Sequence, residues 1–217
     1  MIKAVIFDLD GLLIDSEPLA YKSQNQVLQK YGKNFTLQEY IASYAGRPGK
    51  ENARHLVDDY DLPISYEQSY EEYRAFSIEN TKNVQLKYGA VELIDYLREN
   101  NYEVCLGTSS SKLRAEAILN LHGILNKFDS IITSDNVKHG KPEPDIFLAA
   151  VESLGFKADE CLVLEDSKAG IEAANRGNVP AIFIPDLRKA DDEVRSKTVA
   201  VLDSLKDVIT YLQNHNN

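Results

Sequence analysis

Carboxylates, hydroxyls and one ammonium group are grouped at four places in the chain, most of them directly after a short apolar run. They are Asp8 and Asp10 after the first run, Thr108 to Ser111 after the second, Lys141 before a helical stretch, and Glu165 with Asp166 after Val163-Leu164. These are the residue types that phosphoryl transfer needs: a carboxylate to attack phosphorus, a second group to handle a proton, and donors to hold the phosphate oxygens.

Asp8 and Asp10 are two residues apart. On an extended segment this spacing places both side chains on the same side. One carboxylate can attack phosphorus and form an aspartyl-phosphate, while the other transfers a proton. The same Asp-x-Asp-Gly pattern taken alone is also typical of a simple turn, because Asp and Gly favour turns.

A carboxylate that attacks a phosphate dianion meets strong charge repulsion, so cations are required. Mg²⁺ prefers oxygen ligands in octahedral geometry, which Asp8, Asp166 and the backbone carbonyl of Asp10 could supply. Lys141 would add a second positive charge, and Thr108 with nearby backbone N–H groups could hold the phosphoryl oxygens. Read singly, the Lys141 and Thr108 segments could equally be the start or the cap of a helix.

These groups need a scaffold that brings them together, and the pattern of apolar runs predicts one. Six runs are predicted to be strands: Lys3–Phe7, Glu103–Gly107, Ser130–Thr133, Cys161–Leu164, Ala181–Ile184 and Val199–Leu202. Helical periods lie between them. Runs that are apolar on both faces and alternate with helices indicate a doubly wound α/β fold with a parallel sheet. Ligands bind at the carboxyl ends of such strands.

One stretch interrupts this alternation. Residues 16–83 contain helix-like segments rich in Gln, Glu and Tyr and no good strand. We therefore predict a catalytic α/β core formed by residues 1–15 and 84–217, with a small α-helical cap domain, residues 16–83, inserted after the first strand.

Four segments together resemble the motifs of the haloacid dehalogenase superfamily, in the branch similar to β-phosphoglucomutase with a helical cap. They are Asp8-Leu9-Asp10-Gly11 through Glu17, Thr108-Ser109, Gly140-Lys141-Pro142 with Pro144-Asp145, and Leu164-Glu165-Asp166-Ser167 through Gly170. The resemblance covers essentially the whole chain, and four motifs in order are far more specific than any one of them.

The resemblance implies a role for each matched residue. Asp8 is the implied nucleophile and Asp10 the implied general acid and base. Thr108, with Ser109 beside it, and Lys141 are implied to bind the phosphate. The implied metal site, for Mg²⁺, is formed by Asp8, Asp10 and Asp166, with Glu165 next to them.

Weaker signals lie in the predicted cap. Gly46-Arg47-Pro48-Gly49-Lys50 is a loop with two cations in an acidic segment, and it resembles the cap loop that contacts substrate in this branch. Gly46 and Arg47 are therefore candidate substrate-binding residues, with a solvated surface loop as the alternative. Glu17 is a further candidate, although a glutamate in the first turn of a helix can simply interact with the helix dipole.

We expect a phosphatase that hydrolyses a small phosphorylated metabolite, such as a sugar phosphate, through phospho-Asp8. A phosphosugar mutase is the alternative. Ala20 stands where the mutase motif has a histidine, and the cap loop lacks the lysine that the mutase motif has before the glycine. Both departures argue against the mutase. An inactive binding module on the same fold is a third possibility, although all four motif residues needed for catalysis are present.

The charge balance limits the partners. The 34 acidic and 24 basic residues give a formal net charge of −10 among 217 residues. This excess argues against nucleic acid or an anionic membrane as a standing partner. The first residues are too short an apolar run for a secretion signal. We expect a monomeric cytoplasmic enzyme.

Overall fold

The computed structural model describes residues 1–187 and 189–215 of the chain. The chain divides into two compact units. One contains Met1–Ile14 and the chain from Leu86 onward, and the other contains Asp15–Gln85. The boundaries predicted from the sequence lie within two residues of these.

The strands and helices follow one another in the order that the sequence pattern predicts. The strands are β1 (Ala4–Phe7), β2 (Glu103–Gly107), β3 (Ser130–Ile132), β4 (Cys161–Glu165), β5 (Ala181–Phe183) and β6 (Ala200–Val201). The α-helices are α1 (Glu17–Lys30), α2 (Leu37–Ser43), α3 (Gly49–Tyr60), α4 (Tyr66–Asn80), α5 (Ala90–Glu99), α6 (Lys112–Leu121), α7 (Asp145–Leu154), α8 (Lys168–Arg176), α9 (Asp192–Ser196) and α10 (Leu205–His215).

The first unit is built on one parallel sheet with the strand order β3-β2-β1-β4-β5-β6. All four residues of β1 are fully buried, as expected for a central strand covered by helices on both faces. Phe7, the last residue of β1, is paired with Leu106 on one side and Leu164 on the other. The predicted doubly wound α/β core is confirmed.

Five of the six strands differ from their predicted bounds by one residue at one or both ends, and the carboxyl ends of β4 and β3 are two examples. β4 continues through Glu165, which pairs with Phe183 of β5 and is 1% exposed. β3 stops before Thr133, because the side chain of Thr133 turns back to accept a hydrogen bond from the N–H of Asp135. Hydroxyl side chains that bond to the neighbouring backbone compete with the strand ladder in this way.

The second unit consists of α1 to α4 and has its own apolar core. Val27, Leu28, Phe35 and Leu56 are among its fully buried side chains. Thr36 begins α2 with a capping box, in which its hydroxyl accepts from the N–H of Glu39 and the Glu39 carboxylate accepts from the N–H of Thr36. Its residues correspond to the stretch 16–83 that the sequence predicts as an inserted helical domain, and its role as a cap stays a prediction.

Within the part of the chain that the structure describes, no helix has the length and apolar character needed to cross a bilayer.

Candidate active site

The candidate site lies where the direction of the strand order changes. β2 and β3 lie on one side of β1, and β4, β5 and β6 lie on the other. Parallel α/β sheets bind ligands at such a switch point, outside the carboxyl ends of the strands. Asp8 follows β1 and Glu165 ends β4, so two of the predicted residues stand at this position.

Lys141 lies between two buried carboxylates. Its Nζ donates to Oδ1 of Asp8, to Oε1 of Glu165 at 2.8 Å and to the carbonyl oxygen of Gly107 at 3.1 Å. The three charged side chains are at most 9% exposed. Nζ also lies 4.7 Å from the ring centroid of Phe147, which favours a cation. The structure thus brings together residues from three of the predicted motifs.

Burial and mutual repulsion make negative charge costly here. Burial raises the pKa of Asp8, Lys141 lowers it and the charge of Glu165 raises it, and together these effects bring it to about 7. Burial and the charges of Glu165 and Asp8 raise the pKa of Asp166 well above its usual value. Although burial disfavours its charge, Asp8 and Glu165 hold the pKa of Lys141 above its ordinary value. One ammonium therefore faces three carboxylates. An additional cation would balance this excess of negative charge.

Glu165 is also held by the turn that follows it. Its Oε2 accepts from the N–H of Ser167 at 2.8 Å and from the Ser167 hydroxyl at 2.9 Å. Ser167 caps α8 by accepting from the N–H of Gly170. A Cβ atom at Gly170 would overlap the Glu165 carboxylate, so this turn requires glycine. Protein groups therefore bind both carboxylate oxygens of Glu165: Lys141 binds Oε1 and Ser167 binds Oε2.

Asp166 lies against the loop that carries Asp8 and Asp10. A Cβ atom at Gly11 would overlap the Asp166 carboxylate, and Gly11 has a φ of +84°, which also favours glycine. Among residues 1–187 and 189–215, no three His, Cys, Asp or Glu side chains form a ready-made metal cage. A site built from two carboxylates, a backbone carbonyl and water agrees with this, and such a hard oxygen set with excess negative charge fits Mg²⁺.

The hydroxyl loop after β2 is folded back on itself. Thr108 is buried, and its Oγ1 accepts from the N–H of Ser110 at 3.1 Å. Its own N–H donates to the carbonyl of Ile132 at 3.0 Å. Ser109, between them, is exposed. This loop begins directly after the carboxyl end of β2, and β2 is the strand next to β1.

Asp10 has partners that the sequence reasoning did not identify. Arg114 donates from Nη2 to Oδ1 and from Nη1 to Oδ2, both at 2.7 Å, and the Ser110 hydroxyl donates to Oδ2 at 2.8 Å. Arg114 is the third residue of α6. A cation so close to a helix N-terminus is unfavourable for the helix dipole, and that mismatch is the signal that could have drawn attention to it.

In the helical unit, Glu17 is engaged by the loop that carries Arg47. Its Oε1 accepts from the N–H of Gly46 at 2.9 Å, and its Oε2 accepts from the Tyr40 hydroxyl. Asn52 of α3 donates to the carbonyl of Tyr44, two residues before Gly46, at 2.8 Å. Arg47 itself is exposed. The predicted residues Glu17 and Gly46 therefore contact one another.

Comparison with known proteins identifies relatives over most of the chain. Residues 5–184 match the family model described as haloacid dehalogenase-like hydrolase. A Drosophila melanogaster protein named "Probable pseudouridine-5'-phosphatase" is 35% identical over 93% of this chain and 89% of its own length. A phosphorylated carbohydrates phosphatase of Thermotoga maritima is 31% identical over 83% of this chain and 84% of its own length.

The fold is shared with solved structures as well. The crystal structure of β-phosphoglucomutase from Clostridium difficile superposes with a TM-score of 0.77 at 26% identity, over 99% of this chain and 96% of that one.

Proposed function

The chain belongs to the haloacid dehalogenase-like hydrolases and is a phosphoric monoester hydrolase; from this premise we propose that it is a Mg²⁺-dependent phosphatase that cleaves a small sugar phosphate through phospho-Asp8. The observation that carries the proposal is the buried Asp8–Lys141–Glu165 cluster at the switch point of the sheet. It combines a nucleophile with a fixed cation and leaves a net negative charge that a divalent ion would balance.

In the first step we assign Oδ2 of Asp8 as the attacking atom, since Lys141 holds Oδ1. A bond forms between this oxygen and phosphorus as the bond from phosphorus to the sugar oxygen breaks. For this step Asp10 must carry a proton, which it gives to the departing sugar oxygen, so that the sugar leaves as an alcohol. Lys141 and the Thr108 loop offset the charge on the phosphoryl oxygens.

In the second step a water molecule attacks the phosphorus of phospho-Asp8. Asp10, now deprotonated, takes a proton from that water, and the bond between Asp8 and phosphorus breaks. Inorganic phosphate leaves, and Asp8 and Asp10 return to their starting states. Glu165 keeps Lys141 oriented throughout, as its contacts to Lys141 and Ser167 indicate.

Asp8, Asp166 and the backbone carbonyl of Asp10 would hold the metal ion. When bound, Mg²⁺ supplies the positive charge that lets a carboxylate approach a phosphate dianion. Because both Glu165 oxygens already accept hydrogen bonds from protein groups, we propose that Glu165 acts on Lys141 and that Asp166 is the direct ligand.

Phosphate release from a panel of sugar phosphates, with and without metal, tests this function. We expect chelation to abolish turnover, Mg²⁺ to restore it, and Ca²⁺ to support less than about a tenth of the Mg²⁺ rate, because the looser shell of Ca²⁺ misplaces the reacting groups. A metal-free enzyme with full activity would contradict the metal assignment. Comparable rates with Ca²⁺ would contradict the proposed geometry.

A phosphosugar mutase is the second candidate, favoured by the similarity to the β-phosphoglucomutase structure. Ala20, at the position where the mutase motif has histidine, argues against it. Product analysis with an aldose 1-phosphate separates the two: free sugar and inorganic phosphate indicate the phosphatase, and an isomeric sugar phosphate indicates the mutase.

We further propose that Arg47 contacts the part of the substrate that is not transferred. Glu17 accepts from the N–H of Gly46, the residue before Arg47, and Asn52 donates to the carbonyl of Tyr44, so a half-buried and a buried side chain anchor the segment that leads into Arg47. Replacing Arg47 with alanine is expected to lower kcat/KM for the preferred sugar phosphate about 10- to 100-fold and to change hydrolysis of a small generic phosphate ester little, since such an ester gains nothing from the loop.

Arg54→Ala is the matched control, because Arg54 is an exposed arginine of the same helical unit that lies over the ring of Tyr66. Equal losses on both esters for the Arg47 variant would indicate a folding defect, and no loss on either would show that Arg47 is a solvated surface residue.

A further inference from the structure

Both oxygens of the Asp10 carboxylate are bound by side chains from one short segment. Arg114 forms a two-pronged ion pair, with both N–O distances at 2.7 Å, and the Ser110 hydroxyl adds a third contact at 2.8 Å. Arg114 also donates to the Ser110 hydroxyl. The three groups form a closed hydrogen-bonded triangle, which restricts the carboxylate far more than a single contact would.

These contacts join Asp10 to the start of α6. The Asp10 side chain is 37% exposed and lies in the loop after β1, so polar contacts contribute more to its orientation than burial does. Arg114 is 19% exposed and stands in the first turn of α6. Within the segment that leads from Thr108 into α6, the N–H of Ser110 donates to the Thr108 hydroxyl and stabilises the turn. Asp10 is thus tied to the rigid end of a helix.

The position of Arg114 is unfavourable for the helix and favourable for Asp10. The N-terminal end of a helix carries partial positive charge and destabilises a nearby cation. The two-pronged pair offsets that cost, because the planar guanidinium matches both oxygens of a carboxylate. An arginine at this place therefore does not stabilise the helix, but it does stabilise one orientation of Asp10.

We propose that Arg114, with Ser110, is the positioning residue that sets the direction of the Asp10 carboxylate for proton transfer. The inference rests on the proposed function, in which Asp10 protonates the departing sugar oxygen and later takes a proton from water. In this role Arg114 needs no contact with the transferred phosphoryl group. Its effect reaches the reaction only through Asp10.

This role predicts a dependence on the leaving group. The parameter kcat/KM covers the steps up to formation of phospho-Asp8. A sugar alkoxide is a poor leaving group that needs the proton from Asp10, whereas p-nitrophenolate leaves without one. We expect Arg114→Ala to lower kcat/KM for the sugar phosphate about 100-fold and that for p-nitrophenyl phosphate less than about 3-fold, since misplacing one catalytic group by 1 Å can cost that much.

Three further variants make the test specific. Arg114→Lys should retain an intermediate rate, because one ammonium cannot reproduce the fork, and free guanidinium should restore part of the Arg114→Ala activity. Ser110→Ala should show the same leaving-group pattern with a smaller loss. In an Asp10→Asn background, Arg114→Ala should cause no additional loss, as expected for residues that act as a unit. Arg98→Ala is the control, an arginine of the same unit paired with Asp129.

The outcomes separate this inference from the proposed function. If the wild-type enzyme releases no phosphate from any ester, the proposed function fails. If the wild type is active but Arg114→Ala lowers kcat/KM equally for both esters, Arg114 is not acting through Asp10. The same conclusion follows if Arg114→Ala lowers kcat/KM further in the Asp10→Asn background. A faster Arg114→Ala enzyme would also overturn the inference, because the pair would then restrain Asp10 instead of orienting it.

Discussion

Replacing Asp8 with asparagine is expected to abolish phosphate release and to prevent any covalent phosphoenzyme from forming. An amide cannot be phosphorylated as a carboxylate can, and the other carboxylate beside Lys141, that of Glu165, already accepts hydrogen bonds from protein groups on both oxygens. A phosphate-release assay measures the first effect. The intact mass of enzyme quenched in acid during turnover measures the second, as a phosphorylated fraction that the wild type shows and the variant lacks.

The Asp8→Asn protein should remain folded. Burial raises the pKa of Asp8 to about 7, which means that the native state is penalised for this charge. A neutral amide of the same shape removes that penalty, so we expect thermal unfolding at or above the wild-type temperature. Asp159→Asn is the matched control, since Asp159 is exposed. An Asp8→Asn enzyme with near-native kcat would contradict the nucleophile assignment.

Replacing Lys141 with methionine should have the second-largest effect, on activity and on stability together. Losing the cation that faces the phosphoryl oxygens is expected to lower kcat at least about 100-fold. Removing one member of a buried ionic cluster leaves charges without a partner, and we expect unfolding to become about 3 kcal/mol easier. Urea unfolding followed by circular dichroism measures the stability, and phosphate release measures the rate.

The stability loss should depend on pH and on Glu165. Without Lys141 the pKa of Asp8 rises further, so near neutral pH the native state binds more protons than the unfolded state and stability falls as pH rises. The loss should therefore be smaller at about pH 5.5 than at about pH 8.

Adding Glu165→Gln removes a second unpaired charge and should recover most of the stability but not the activity. A pH-independent loss, or no recovery with Glu165→Gln, would show that the cluster is not electrostatically coupled.

Much of the fold follows from local patterns along the chain. The six apolar runs that were predicted as strands all form strands of one parallel sheet. Burial on both faces explains this best for β1 and β4, whose residues are all buried, whereas β6 is only half-buried. Asp8, Asp10, Thr108, Lys141 and Asp166 were found as polar residues near the predicted strand ends and helix starts. Their types and order were sufficient to indicate phosphoryl transfer, since that chemistry needs this set of groups.

Contacts between distant parts of the chain could not be predicted in the same way. Glu165 looked like a loop residue, because an isolated charge is costly to bury. It is instead the buried last residue of β4, where its charge meets the Lys141 ammonium from 24 positions away in the sequence. Similarly, Arg114 pairs with Asp10 across 104 positions. Each pairing exists because two loops meet at the same edge of the sheet, and no local pattern encodes which side chains then face each other.

By itself, then, the sequence determined the order of the strands and helices, the division near Asp15 and Val84, and the residue types available for catalysis. The tertiary structure decided which of those residues are partners: Lys141 with Asp8 and Glu165, Arg114 and Ser110 with Asp10, and Glu17 with Gly46. The physical reason is that burial patterns repeat at short range along the chain, whereas the free energy of a charged or hydrogen-bonded pair depends on distances and solvent exposure that only the folded chain sets.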